Sequence, residues 1–144
     1  MIDMKVTGVK ETVLRLRNIG QRVHENARKT MHAAADRIVE TAKKMAPVDE
    51  HNLEEAIVKR VGYEGTRRRL AIDIEILPVV NGVRVEDYAT YMHEGNYKLG
   101  PKSQVKNDTQ SETVGRGFLT RAGELEEDKL NARMVSVINE EINK

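Results

Sequence analysis

Apolar residues recur at steps of three and four along one stretch of the chain, from Val23 to Met45. This spacing matches the 3.6-residue period of an α-helix and predicts one long amphipathic helix. Pro47 should end it at Ala46, because a residue that precedes proline is driven out of the α region. Most residues of the stripe are small, so another element can pack closely against it. The stripe comprises Val23, Ala27, Met31, Ala34, Ile38, Ala42 and Met45.

The residues before this helix predict two short elements. Met4–Val9 is compatible with a strand or an extended arm. From Lys10 the apolar spacing becomes helical, and Gly20 is expected to end that short helix.

Period-two alternation dominates the middle of the chain. Two alternating stretches, 57–62 and 68–77, predict an antiparallel hairpin with Leu70, Ile72, Ile74 and Ile76 on one face. A capped turn should precede the hairpin, with Asp49 or Asn52 as the capping residue. Pro78, Asn81 and Gly82 then predict a second turn, followed by a brief strand and one or two helical turns.

The segment Asn96–Gly117 is polar and lacks apolar periodicity, which predicts a long loop that is disordered in a free subunit and ordered only against a neighbour or an adjoining ring. From Phe118 onward the spacing predicts a carboxy-terminal helix. Its acidic run, Glu124, Glu126, Glu127 and Asp128, is interpreted as favourable to the dipole of the helix's first turns. The predicted fold is a single α+β domain, residues 1–144, in which an antiparallel sheet of about three or four strands packs against the long helix and the carboxy-terminal helix.

Composition limits both stability and chemistry. The chain has 144 residues, with 39% hydrophobic, 33% charged and only 3% aromatic residues, so we expect part of its stability to come from neighbouring subunits. It contains no cysteine, which excludes disulfides, thiolate metal sites and cysteine nucleophiles. Neither a signal peptide nor a membrane-spanning stretch is predicted, so we expect a soluble protein made in the cytosol.

The charge is unevenly distributed along the chain. The net charge is +1, but residues 1–69 carry 15 basic and 10 acidic residues, net +5, whereas residues 70–144 carry 9 and 13, net −4. Two interpretations remain open: helix faces that differ by chance, or head-to-tail charge matching between copies.

No catalytic or cofactor motif is present. The four histidines, His24, His32, His51 and His93, form no zinc-binding pattern, and no phosphate-binding glycine loop occurs. His93 and Glu94 could form an acid–base pair, but no nucleophile accompanies them. We therefore predict a protein without enzymatic activity, metal, cofactor or small-molecule substrate.

Basic residues suggest a different kind of contact. Five are candidates for contact with DNA phosphates in a channel or with an adjacent ring: Arg67, Arg68, Arg69, Lys102 and Lys106. The three arginines could equally form the solvated end of the hairpin. No helix-turn-helix signature and no large positive charge occur, which argues against a dedicated reader of DNA sequence. A small nucleic-acid-binding or regulatory protein is therefore only the alternative function.

Three short motifs, in order, resemble a known family. The first contributes Ala42, Lys43, Ala46, Pro47, Leu53 and Ile57; the second contributes Tyr88, Ala89, Tyr91, Glu94 and Gly95; the third contributes Phe118, Leu119 and Ala122. Their sequence resembles the tail-component family encoded in the head-to-tail gene cassette of tailed bacteriophages, and the resemblance extends over nearly the whole chain.

The resemblance implies a structural virion protein of the neck or tail. Copies would form a closed ring, a hexamer, between the head-closure ring and the tail, with DNA passing through the channel without sequence-specific contacts. Phe118, Leu119, Tyr88 and Tyr91 would then anchor the core or an interface between subunits.

Overall fold

The computed structural model describes residues 8–48, 50–64 and 69–144. Met4–Val9, predicted as a strand or arm, lies almost entirely outside these residues. The elements in chain order are α1 (Val9–Met45), α2 (Asn52–Ala56), β1 (Ile57–Glu64), β2 (Arg69–Ile76), β3 (Val79–Val80), β4 (Val83–Arg84), α3 (Glu86–Glu94), α4 (Pro101–Asp108) and α5 (Phe118–Ile142).

Helix α1 is longer than the sequence predicted. It runs through Gly20 without a break, so the predicted stop at that residue is wrong. A single glycine inside a helix costs only about 1 kcal/mol relative to alanine, which the good helix formers around it can offset. The predicted end is confirmed, because Ala46 adopts extended backbone angles immediately before Pro47.

The strands confirm the predicted α+β class and antiparallel hairpin but divide into two small sheets. Strands β1 and β2 pair over eight residues, from Ile57 opposite Ile76 to Glu64 opposite Arg69. Strands β3 and β4 pair separately, joined by Asn81 and Gly82 at φ 51° and 76°. Positive φ at both turn residues is the usual geometry of a tight hairpin. Pro78 lies between β2 and β3 and favours their separation, since it has no backbone N–H for a continuous ladder.

Helices α1 and α5 pack antiparallel, as two ion pairs between them demonstrate. Arg22 Nε lies 2.8 Å from a carboxylate oxygen of Glu141, and Arg37 Nε lies 3.1 Å from one of Glu126. Both carboxylates are buried between the helices. The interpretation of Glu126 as part of a dipole-stabilising first turn is therefore wrong: α5 begins at Phe118, and its first turn contains no acidic residue.

The core brings together all three family-like motifs. Its buried residues are Ala42, Met45, Ala46, Leu53, Ala56, Ile57, Val85, Ala89, Phe118 and Ala122. The small residues of the first motif let the end of α1 approach α2 and α5 closely. These motifs therefore specify how the helices pack.

The segment Asn96–Gly117 was predicted as a long loop without regular structure, but it contains α4 and caps the end of α1. The last carbonyl groups of a helix have no partners within the helix. Here Lys106 donates to the carbonyls of Lys43 and Ala46, the Gln110 side chain donates to that of Lys44, and the backbone N–H of Gly115 donates to that of Met45. Polar residues without apolar periodicity thus acquire order from helix capping.

The turn before β1 is also built differently from the prediction. Asp49 lies outside the described residues, and Asn52 is the first residue of α2 rather than its cap. The capping position belongs to His51, at φ 65° and without a side-chain capping bond. The Asn52 side chain is buried and accepts a hydrogen bond from Asn81 at 3.2 Å.

Candidate functional site

The histidines occupy separate places in the described part of the chain. His24 is exposed, His32 lies 3.3 Å from Lys59, and His51 lies 3.1 Å from Glu54. The His93 ring packs edge-on against Phe118 with ring centroids 5.1 Å apart. Among residues 8–48, 50–64 and 69–144, no three His, Asp or Glu side chains converge as metal ligands would.

Two depressions on the surface of the described residues have mainly apolar linings. One, of about 340 Å³, lies between α2 and α3 and is lined mainly by Pro47, Leu53, Tyr88 and Met92. A more open one beside α4 is lined by Val48, Pro101, Val105 and Lys106, among others. In neither depression do the described residues include a nucleophile that is hydrogen-bonded to a base.

Three of the four predicted anchor residues lie in or against the core. Phe118 is fully buried, whereas Leu119 and Tyr88 are half-buried and pack around the core cluster. The amino end of α5 is fixed to α3, because the backbone N–H of Gly117 donates to the His93 carbonyl at 2.8 Å. The second and third motifs thus meet at Phe118.

Tyr91 is different, because its side chain is 56% exposed. Its hydroxyl donates to the Asn96 carbonyl at 3.2 Å, and its ring lies 5.7 Å from that of Tyr97. Burial raises the pKa of Tyr97, whose hydroxyl donates to the Met92 carbonyl. The two tyrosines fix the chain where it leaves α3, and Tyr91 also presents an aromatic face to solvent.

The five basic candidates do not form one described patch. Arg67 and Arg68 lie outside the described residues, and Arg69 is placed only by its backbone pairing at the start of β2. Lys102 is exposed in the first turn of α4. Sequence reasoning grouped Lys102 with Lys106, but the structure gives them different surroundings.

Lys106 is engaged inside the subunit, which differs from its predicted role in contacting DNA or an adjacent ring. Its ammonium group is half-buried and donates to two carbonyls at the end of α1, at 2.5 and 2.7 Å. It also forms an ion pair with the Glu54 carboxylate at 2.5 Å. A lysine ammonium has three donor hydrogens, so these acceptors satisfy it.

Two exposed apolar strips lie on the helices and were not identified from the sequence. One is on the first turns of α1, at Val13 and Leu16; the other is near the end of α5, at Val135, Ile138 and Ile142. The first could have been found by extending the stripe of α1 backward through Gly20. The second lies beside the buried Val137 on the same helix end, and the sequence pattern does not show which of these apolar residues is covered.

No helix among the described residues has the length and apolar character required to cross a membrane. No curated protein and no solved structure matches the chain significantly. One family model does match, over residues 10–93; its description reads "Bacteriophage HK97-gp10, putative tail-component". The matched range contains the first motif and the second as far as Tyr91, but neither Glu94 and Gly95 nor the third motif, so it is shorter than the resemblance predicted from the sequence. It covers well over half of the chain, which therefore belongs to the HK97-gp10-like family of bacteriophage tail components.

Proposed function

We propose that this protein is a structural subunit of the virion neck of a tailed bacteriophage. Copies of it form a closed ring, a hexamer, between the head-closure proteins and the tail. DNA passes through the centre of this ring during packaging and ejection. The observation that carries the proposal is the family match over residues 10–93, because that family consists of tail components.

The build of the subunit supports a role in assembly rather than in catalysis. Its core is made mostly of alanine and other small side chains, with Phe118 as the largest fully buried one. Large apolar side chains are meanwhile exposed on both long helices. A subunit with this distribution gains stability when neighbours cover its surface.

The proposed contacts with DNA are few, phosphate-directed and independent of sequence, because DNA must slide through the ring. Arg67, Arg68, Arg69 and Lys102 are the candidates for them. Lys106 is not a candidate for contact with DNA, because it caps α1 and pairs with Glu54.

Light scattering coupled to size exclusion, with electron microscopy of the same fractions, tests the ring. We expect particles of about six subunits with a central opening. A protein that remains monomeric at all concentrations would contradict the proposed ring. Nanomolar binding of one DNA sequence at about 150 mM salt would instead favour a dedicated DNA reader.

A further inference from the structure

Helix α1 extends beyond the helix that packs against it. The last turn of α5 is fixed beside Arg22 and Asn26, both of which donate to the Glu141 carboxylate. Residues 10–18 of α1 are all exposed, and contact with the body of the subunit resumes at Ile19. The first ten residues of α1, 9–18, are called the overhang here; at 1.5 Å per residue they span about 15 Å.

The overhang continues the inward-facing stripe of α1. Val13, Leu16 and Gly20 precede Val23 and Ala27 at steps of three and four, so they lie in line with it along the helix. Leu16 is nevertheless 64% exposed. The face that packs inside the subunit thus extends, uncovered, past the subunit's end.

A matching surface exists on the same chain, on the outer side of α5. Val135, Ile138 and Ile142 follow one another at steps of three and four, and they are 59%, 40% and 57% exposed. The buried Val137 and Glu141 lie about 100° around α5 from Ile138 and Ile142, on the side that packs toward α1. Helix α5 therefore has two faces, of which only one is covered in the subunit.

The charges of the two surfaces are opposite in sign. The overhang carries three basic residues and one acidic residue, net +2: Lys10, Arg15 and Arg17 against Glu11. On the side of α5 that carries Val135, Ile138 and Ile142, the exposed charged residues of the helix are all acidic, net −3: Glu124, Glu127 and Asp128. Such complementarity favours contact between the two surfaces and disfavours contact of either with its own kind.

We infer that the overhang of one subunit docks on the outer face of α5 of a second copy. The bound subunit's own overhang remains free for a third copy, so the contact is head-to-tail and produces a ring when its rotation closes. This inference deepens the proposed ring by naming the surfaces that build it.

Cysteine pairing tests the contact directly, because the natural chain has no cysteine. Leu16→Cys and Ile138→Cys are prepared as separate proteins and oxidised mildly, alone and mixed. The mixture should give a disulfide-linked dimer containing one of each, while neither protein alone should link efficiently. Linkage of the Leu16→Cys protein to itself, or no linkage in the mixture, would overturn the inference.

A charge placed on the strip gives a second test with a matched control. Leu16→Glu should leave the melting temperature of the subunit unchanged and weaken self-association by roughly 100-fold or more, because the interface would bury an unpaired charge. Leu14→Glu alters an equally exposed leucine two residues away, which points about 200° around the helix, and should have little effect. Equal loss in both variants would contradict docking through this strip.

The outcomes separate this inference from the proposed function. A wild-type ring that persists in Leu16→Glu would reject the docking surface and leave the ring standing. A wild-type protein that never self-associates would reject both. Binding of the wild-type monomer, but not of Leu16→Glu, to vesicles of anionic phosphatidylglycerol would assign the strip to a membrane surface and also overturn the inference.

Discussion

The carboxylate of Glu141 accepts a hydrogen bond from Arg22 at 2.8 Å, across 119 residues of sequence and at 2% side-chain exposure. Arg37 and Glu126 repeat this arrangement at the other end of the helix pair. The arginines are 15 residues apart on α1, and the glutamates are 15 residues apart on α5. Because a slip of either helix would separate Arg22 from Glu141 and Arg37 from Glu126, the pairs fix the register of α1 against α5.

Glu141 should make the stability of the fold sensitive to acid. Hydrogen bonds from Lys144 and Arg22 hold the pKa of this carboxyl below its ordinary value of 4.5. A lowered pKa in the folded state means that the ionised carboxylate stabilises the fold at neutral pH, and that this contribution disappears as pH falls through the lowered pKa. Glu141→Gln should therefore melt below wild type at pH 7, and this difference should disappear as pH falls below the lowered pKa of Glu141. Exposed Glu127→Gln is the control, and a deficit for Glu141→Gln that does not change with pH would contradict the assignment.

Replacing Lys106 by Met should destabilise the subunit by about 1–3 kcal/mol, because the Glu54 carboxylate and two carbonyls of α1 lose their donor. Urea unfolding measures the change. Lys98→Met removes the same charge from an exposed position and should leave the unfolding free energy nearly unchanged. Equal effects of the two substitutions would show that Lys106 is no more than a surface lysine.

Phe118→Ala should cost roughly 3–5 kcal/mol, since it empties the site of the largest fully buried side chain. Loss of the edge-on contact between Phe118 and His93 adds to this destabilisation. Folding and ring assembly should fail together, as measured by circular dichroism and light scattering. An unchanged melting temperature and particle size would contradict the central place of Phe118 in the core.

Two glycine-to-alanine substitutions should have opposite signs. A Cβ atom at Gly95 would lie 2.5 Å from the Tyr91 carbonyl oxygen, so Gly95→Ala forces the end of α3 to shift and should destabilise. Gly123 lies inside α5 with open space around it, and Gly123→Ala should stabilise by about 0.5–1 kcal/mol through helix propensity. Thermal unfolding of both variants checks the pair, and a stabilising Gly95→Ala would be the contrary result.

Periodicity predicted the regular elements well. The stripe from Val23 to Met45 and the alternation from Leu70 to Ile76 each report which side of an element is buried, so they identified α1 and β2. The predicted helix end at Gly20 was wrong because one glycine has only a small effect on its own position. The helical residues on both sides of Gly20 stabilise the helix through it. The period-two alternation did not indicate that the β1–β2 and β3–β4 hairpins would form two separate sheets.

Long-range polar contacts could not be predicted. Lys106 and Glu126 look like surface charges in sequence, and only the fold brings them to the end of α1 and to Arg37. The order of Asn96–Gly117 has the same origin, because its hydrogen bonds reach residues more than 50 positions away. The basic candidates rested on charge alone, which does not distinguish a helix cap from a DNA contact.

The most direct test of the proposed neck role is electron microscopy of particles assembled by a phage whose copy of this chain is disrupted. The account predicts DNA-filled heads and complete tails that remain unjoined, with joining restored by the wild-type chain and not by Phe118→Ala. Intact, joined virions in the absence of the chain would contradict it.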